Sequence, residues 1–206
     1  GTMRHLRQNL EAVEEARGKI ATGLRIREPS DDPEGSTRVM QLDSRLRGIE
    51  QRRSNIEAGR RRLATEEGVL SQLTDILTRA EQLSTRSGSD TATAETREQT
   101  RREVDSLIET VKSLGNTKMG DSYLFGGDYA DQKPVNADGT MPTDTPSGTH
   151  EVDVGQNRRV KTNHDAKKVF FDSDVISGLQ ELSTALGNND TDGIAAARQT
   201  LDGAFD

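Results

Sequence analysis

The chain has 206 residues, a formal net charge of −7, 31% charged residues and no cysteine. That charge argues against a general polyanion binder, and the missing cysteines remove disulfides, thiolate metal sites and thiol nucleophiles together. Leu, Ile, Val and Phe supply only about 19% of the residues and Trp none, so a fold must come from periodicity, with a thin aliphatic core along helices rather than a thick globular one.

Gly1-Thr2-Met3 reads as a cloning scar. Leu6, Leu10, Val13, Arg17, Ile20 and Leu24 then step by 4, 3, 4, 3 and 4, one stripe of a helix over about 4–22 with Arg17 as its polar intruder. Gly23 and Pro29 should end it. In "REPSDDPEGS", Asp31 and Glu34 have capping-box spacing, and Pro33 suits the first turn of a second helix. Acids there also favour the positive end of the helix dipole. A metal or general-acid role would need further converging ligands, and the sequence offers none nearby.

The second helix is expected over about 33–87. Leu42, Ile49, Ile56, Leu63, Leu70 and Leu77 are each seven residues apart, the repeat of a coiled coil or long bundle. The companion stripe Val39, Leu46, Arg53, Arg60, Glu67 and Thr74 is apolar only at its start, and the seam widens from Leu70 through Leu73, Ile76, Ala80 and Leu83. Ser87-Gly88-Ser89-Asp90 breaks the pattern, and Thr91 to Thr96 offers caps for a third helix over about 94–116. Its seam is Val104, Leu107, Val111 and Leu114, and the short link makes the two helices antiparallel neighbours.

"YLFGGDYADQKPV" suits a strand and turns, residues 136–149 a polar loop, and "HEVDVGQNRRVKTN" a small hairpin. Val175, Leu179, Leu182 and Leu186 return to helical spacing. A turn at Gly187-Asn188-Asn189-Asp190 leads into a last stripe of Ile194, Ala197, Leu201 and Ala204, in which the sequence stops. The expected fold is mainly α: an elongated antiparallel helical bundle with a small β-rich insertion. Residues 4–133 form the N-terminal part of the helical core, 134–168 the insertion and 169–206 the C-terminal part, which should pack on the open seam of the long hairpin.

Candidate sites are few. Asn188 to Gln199 imitates the start of a calcium-binding loop, but Gln199 stands where the bidentate Glu is required, so an inter-helix turn is the better reading. Arg45, Arg47, Arg52, Arg53, Arg60, Arg61 and Arg62 could face phosphates, yet Asp43, Glu50, Glu57, Glu66 and Glu67 interleave with them, as on a salt-bridged or subunit-facing surface. His5, His150 and His164 share no ligand spacing. The sequence shows no phosphate-binding loop, no cleavable signal peptide and no apolar run near the ~18 residues of a membrane span. No catalytic residue, metal or cofactor is therefore expected.

The order of motifs resembles the flagellin-like family. "ATGLRIREPSDDPEGS" is similar to its N-terminal signature, where a helix ends at a Thr-Gly pair, a short spoke follows and paired aspartates open the long helix. "EEGVLSQLTDILTRAEQLSTRSGSD" looks like the later part of that helix and its turn, and "VFFDSDVISGLQELSTALGNNDTDGIAAARQTLDGAF" like the family's C-terminal helical stretch. The Pro29 to Pro33 wording and "YLFGGDYADQKPV" favour the hook–filament junction branch over filament flagellin. The resemblance implies an extracellular structural protein of the bacterial flagellum, exported unfolded without a cleaved signal. Its partners would be the hook-side junction protein, flagellin and, in the full-length form, copies of itself, with room for an export chaperone and no role for nucleic acid or membrane. It also implies that the outermost N- and C-terminal helices of the family lie outside this sequence. Arg17, Arg53 and Arg60 depart from it, interrupting stripes that are usually less charged. A filament subunit and a basic-helix nucleic-acid binder are the alternatives.

Overall fold

The computed structural model describes residues 2–22, 32–144, 147–155 and 158–204. In chain order the elements are α1 (Thr2–Thr22), α2 (Pro33–Ser87), α3 (Ala94–Gly115), β1 (Lys118–Met119), β2 (Ser122–Tyr123), a 3-10 turn at Gly127–Tyr129, β3 (Glu151–Gly155), β4 (Arg158–Lys161), a π-helical turn at Lys167–Phe171, α4 (Val175–Gly187) and α5 (Thr191–Gly203). The fold is mainly α, with two small antiparallel sheets. By contacts the chain divides into two units, Gly1–Arg53 and Ser54–Asp206, and the division falls inside α2.

The first unit holds α1 and the start of α2. The stripe predicted on α1 is helical, but Leu6, Leu10, Val13 and Ile20 are all exposed. Gly23, Leu24 and Pro29 lie outside the described residues. An amphipathic helix whose apolar face stays wet gains nothing from burial, so α1 is held by its own backbone hydrogen bonds.

The second unit has a closed core. From α2 it takes Val69, Leu73, Ile76, Ala80 and Leu83, from α3 Val104 and Val111, from α4 Leu179 and Leu182, and from α5 Ile194 and Leu201, all buried. Side-chain links fix the direction of each neighbour. Ser87 Oγ donates to Thr100 Oγ1 at 3.1 Å and Arg79 pairs with Glu103, so α3 runs antiparallel to α2. Ser183 Oγ donates to Asp105, and Arg97 reaches Asn189, so α4 runs antiparallel to α3. A Cβ on Gly178 would sit 2.9 Å from Leu201 Cδ2, which shows how closely α4 and α5 approach in the final hairpin.

The segments between α3 and α4 lie against this bundle. Phe125 and Phe170, both fully buried, meet edge to face at 5.2 Å, the favoured geometry for an aromatic pair. Asn116, which caps α3, clamps Val135 in both directions, donating to its carbonyl at 2.9 Å and accepting its amide at 3.0 Å. The polar loop is tied down in turn: Gln180 Nε2 donates to Asp138 O at 2.9 Å and Lys112 Nζ to Ala137 O at 2.5 Å. β3 and β4 form the expected hairpin, pairing Glu151 with Lys161 and Val152 with Val160, with an irregularity between Asp153 and Gly155.

Candidate assembly surface

The start of α2 is set by Asp32. Its Oδ1 accepts the Gly35 amide at 2.8 Å and its carbonyl accepts Ser36 N at 2.8 Å, while Pro33 occupies the first helical position. The cap is thus one residue later than the Asp31–Glu34 spacing predicts. Asp31 lies outside the described residues, and Glu34 sits one position short of the reciprocal site, which Gly35 takes. Glu34 remains in the first turn, where its charge meets the helix dipole. Such a cap contributes about 1 kcal/mol.

The buried face of α2 corrects the seam. Of the sevenfold register, Leu77 is 4% exposed and Leu70 half-buried, Ile56 is half-buried, and Leu63, Ile49 and Leu42 rise to 40%, 58% and 56%. The covered face instead reads Gly59, Arg62, Glu66, Val69, Leu73, Ile76, Ala80, Leu83 and Ser87, in alternating steps of 3 and 4. It is the same spacing displaced by one residue, about 100° around the helix. From Val69 to Leu83 the physical reason is that the bundle covers the stripe that is apolar at both positions of each turn pair, whereas Gly59, Arg62 and Glu66 are covered by the segments that dock on them. The 70/77 line alternates with Glu67 and Thr74 and cannot be buried whole. On α3, Val104, Val111 and Leu114 are buried and Leu107 is half-buried.

The polar start of that face is a docking node. Glu66, 2% exposed, accepts the backbone amide of His164 at 2.8 Å and meets its ring Nδ1 through the same Oε1. One turn earlier, Arg62 Nη2 donates to the Leu124 carbonyl, and burial lowers the Arg62 pKa against the upward pull of Glu66. A further turn back, a Cβ on Gly59 would stand 3.3 Å from the side chains of Thr162 and Val152. The glycine lets the β3–β4 hairpin approach the helix backbone. Arg62 Nε and Glu66 Oε2 have no hydrogen-bond partner among the described residues.

A second node was hidden in the sequence. Arg97, 5% exposed, donates to Ser87 O at 2.9 Å, Ser89 O at 3.2 Å and Asn189 Oδ1 at 2.5 Å, joining the α2–α3 and α4–α5 turns. Beside it Asp190 caps α5, accepting the amides of Asp192 and Gly193. The residues that imitate a calcium loop are an inter-helix turn. On the flank of α3 beside α4, Arg101 donates to Glu98 at 2.8 Å and pairs with Asp105, and the bond to Glu98 holds that carboxyl down at about 2.

Neither node offers a reacting site, and among the described residues no cluster of three His, Asp or Glu side chains is placed to hold a metal. No described helix is long and apolar enough to cross a membrane. What remains open to partners is the apolar stripes of α1 and of the first half of α2. The arrangement is thus a helical bundle that closes one core and leaves two apolar stripes on its helices uncovered. The family model of the bacterial flagellin N-terminal helical region matches residues 1–130, and the chain belongs to that family. It is 30% identical over 116 residues to a flagellin of Listeria monocytogenes, covering 56% of this chain and 40% of that one. The chain thus spans under half of that relative. Among solved structures it is similar to FlgL of Bacillus cereus, at 25% identity and a TM-score of 0.67 over 82% of this chain and 85% of that one. A flagellar hook-associated protein of Vibrio parahaemolyticus shares its fold at 19% identity, with a TM-score of 0.76 over 86% and 83%.

Proposed function

We propose that the chain is the helical core of a hook–filament junction adaptor of the hook-associated protein 3 type. It stands outside the cell in the flagellum, and it joins the hook-side junction protein to flagellin by contacts with both and with its own copies. Its role is structural rather than catalytic. The observation that carries the reading is the contrast between a closed bundle from Ser54 onward and the uncovered apolar stripes of α1 and early α2, in a chain of the flagellin family. The likeness to a hook-associated protein over most of both chains supports the junction over the filament.

The test is capture by the full-length protein. Retention of both the hook-side junction protein and flagellin is expected. Self-polymerisation into long filaments without hook-side binding would instead select the filament subunit, a reading favoured by the Listeria flagellin match. Neither outcome leaves room for a DNA-binding helix unless affinity falls with salt and with replacement of Arg60, Arg61 and Arg62. Arg62 is already turned to the Leu124 carbonyl.

A further inference from the structure

We infer that Arg62 and Glu66 set a single pose for the β3–β4 hairpin on α2, at a cost in stability. Both stand on the covered face of α2, where Val69, Leu73 and Ile76 supply aliphatics from the next turn onward. Each gives its charge to a backbone group of a different segment: Arg62 Nη2 donates to the Leu124 carbonyl, and Glu66 Oε1 accepts the His164 amide at 2.8 Å. Arg62 Nε and Glu66 Oε2 are buried with no hydrogen-bond partner among the described residues. Burial lowers the Arg62 pKa although Glu66 pulls it upward, so desolvation outweighs attraction at this pair. Two apolar side chains of similar volume would leave the bundle no less stable.

What the two charges supply is selection. Apolar contact picks out no register here, because Gly59 offers a smooth floor to Val152 and the Thr162 methyl, and every residue of β4 is exposed. The base of the hairpin is closed on itself. Asn163 Oδ1 accepts the His150 amide at 2.7 Å, its Nδ2 donates to Gly148 O at 3.0 Å, and Thr162 N donates to His150 O at 2.8 Å. The hairpin therefore meets α2 as a preformed piece, and Glu66 is the acceptor for its His164 amide. A slide of one turn, about 5.4 Å, would set that amide against Arg62, which is itself a donor, or against Leu70, which has no side-chain acceptor. Both displaced poses leave a buried amide unpaired, so the wrong registers are penalised while the right one is only matched.

The device lies within this chain and works whichever axial protein the chain joins. The sequence has no cysteine, so K161C on β4 and S106C on the exposed side of α3 carry a pair of spin labels whose separation is read by double electron–electron resonance. The labelled parent is expected to give one narrow distance. With R62M and E66M together the urea midpoint should stay or rise, while the narrow distance is lost to a broadened or split distribution. E66Q, which keeps an acceptor of the same shape, should retain the narrow distance. A narrow distance in the R62M and E66M variant would show that the pose is set elsewhere. A lowered midpoint there would show that the charges stabilise rather than select, and a broadened distribution in E66Q would show that the acceptor at this position does not set the register. Any of the three overturns the inference.

Discussion

The two halves of α2 are one unbroken helix with opposite fates. From Gly59 to Ser87 one face is covered without a gap, whereas from Val39 to Ile49 a stripe of equal spacing stays in water. The difference does not lie in hydrophobicity, since the covered face begins with a glycine, an arginine and a glutamate. It lies in whether the same chain supplies something to lie there. Around the second half it supplies α3, the Leu124 carbonyl and the 162–164 segment; for the first half no described element does so. Burial is thus a property of pairs of segments, and one helix can be a core element at one end and an interface at the other.

The largest effect that should separate the halves is a cavity. F170A removes a fully buried ring that meets Phe125 edge to face and is expected to cost about 3–5 kcal/mol in urea unfolding. L46A, which removes an aliphatic of similar standing from the uncovered stripe, should stay within about 0.5 kcal/mol. A cost above 2 kcal/mol for L46A would mean that the first half of α2 is covered by its own chain, and the comparison would fail.

A smaller effect sharpens where the covered face begins. E66A deprives the His164 amide of its acceptor and should cost ~2 kcal/mol. Hydrogen exchange should show the loss concentrated in residues 150–164, with α3 little changed. Even loss across the whole bundle would show that Glu66 supports the core rather than docking the hairpin segment.

Helix boundaries were legible in the sequence because 3-and-4 spacing and turn formers are local signals: α2 and its end at Ser87, α3 and the α4–α5 turn all lie where those signals put them. The buried face of α2 was not, since Arg62 and Glu66 look like solvent-facing charges until Leu124 and His164, about 60 and 100 residues away, are brought to them. The cap was legible only to within a residue: Asp31 and Asp32 are adjacent acids before one proline, so local chemistry is nearly degenerate, and among the described residues Asp32 accepts the Gly35 amide. Arg97 had no local signal at all, because its three acceptors come from two turns that meet only in the folded chain.

The smallest expected effect concerns charge on the packed half. Glu98 on α3 is pushed down to about 2 from an ordinary 4.5, first by the hydrogen bond from Arg101 and then, against desolvation, by the charges of Arg101 and Arg102. Because the folded carboxyl is the stronger acid, its stabilisation is fully present above about pH 4.5 and disappears as the pH falls through about 2. E98Q should therefore unfold at slightly lower urea than the parent at neutral pH, with the gap narrowing through that acid window and closing at its bottom. The gap should be small and should shrink in high salt, since the pair is exposed to solvent. A gap that widens on acidification would reverse the sign of the linkage. It would show that the carboxylate is tolerated on α3 rather than stabilising there.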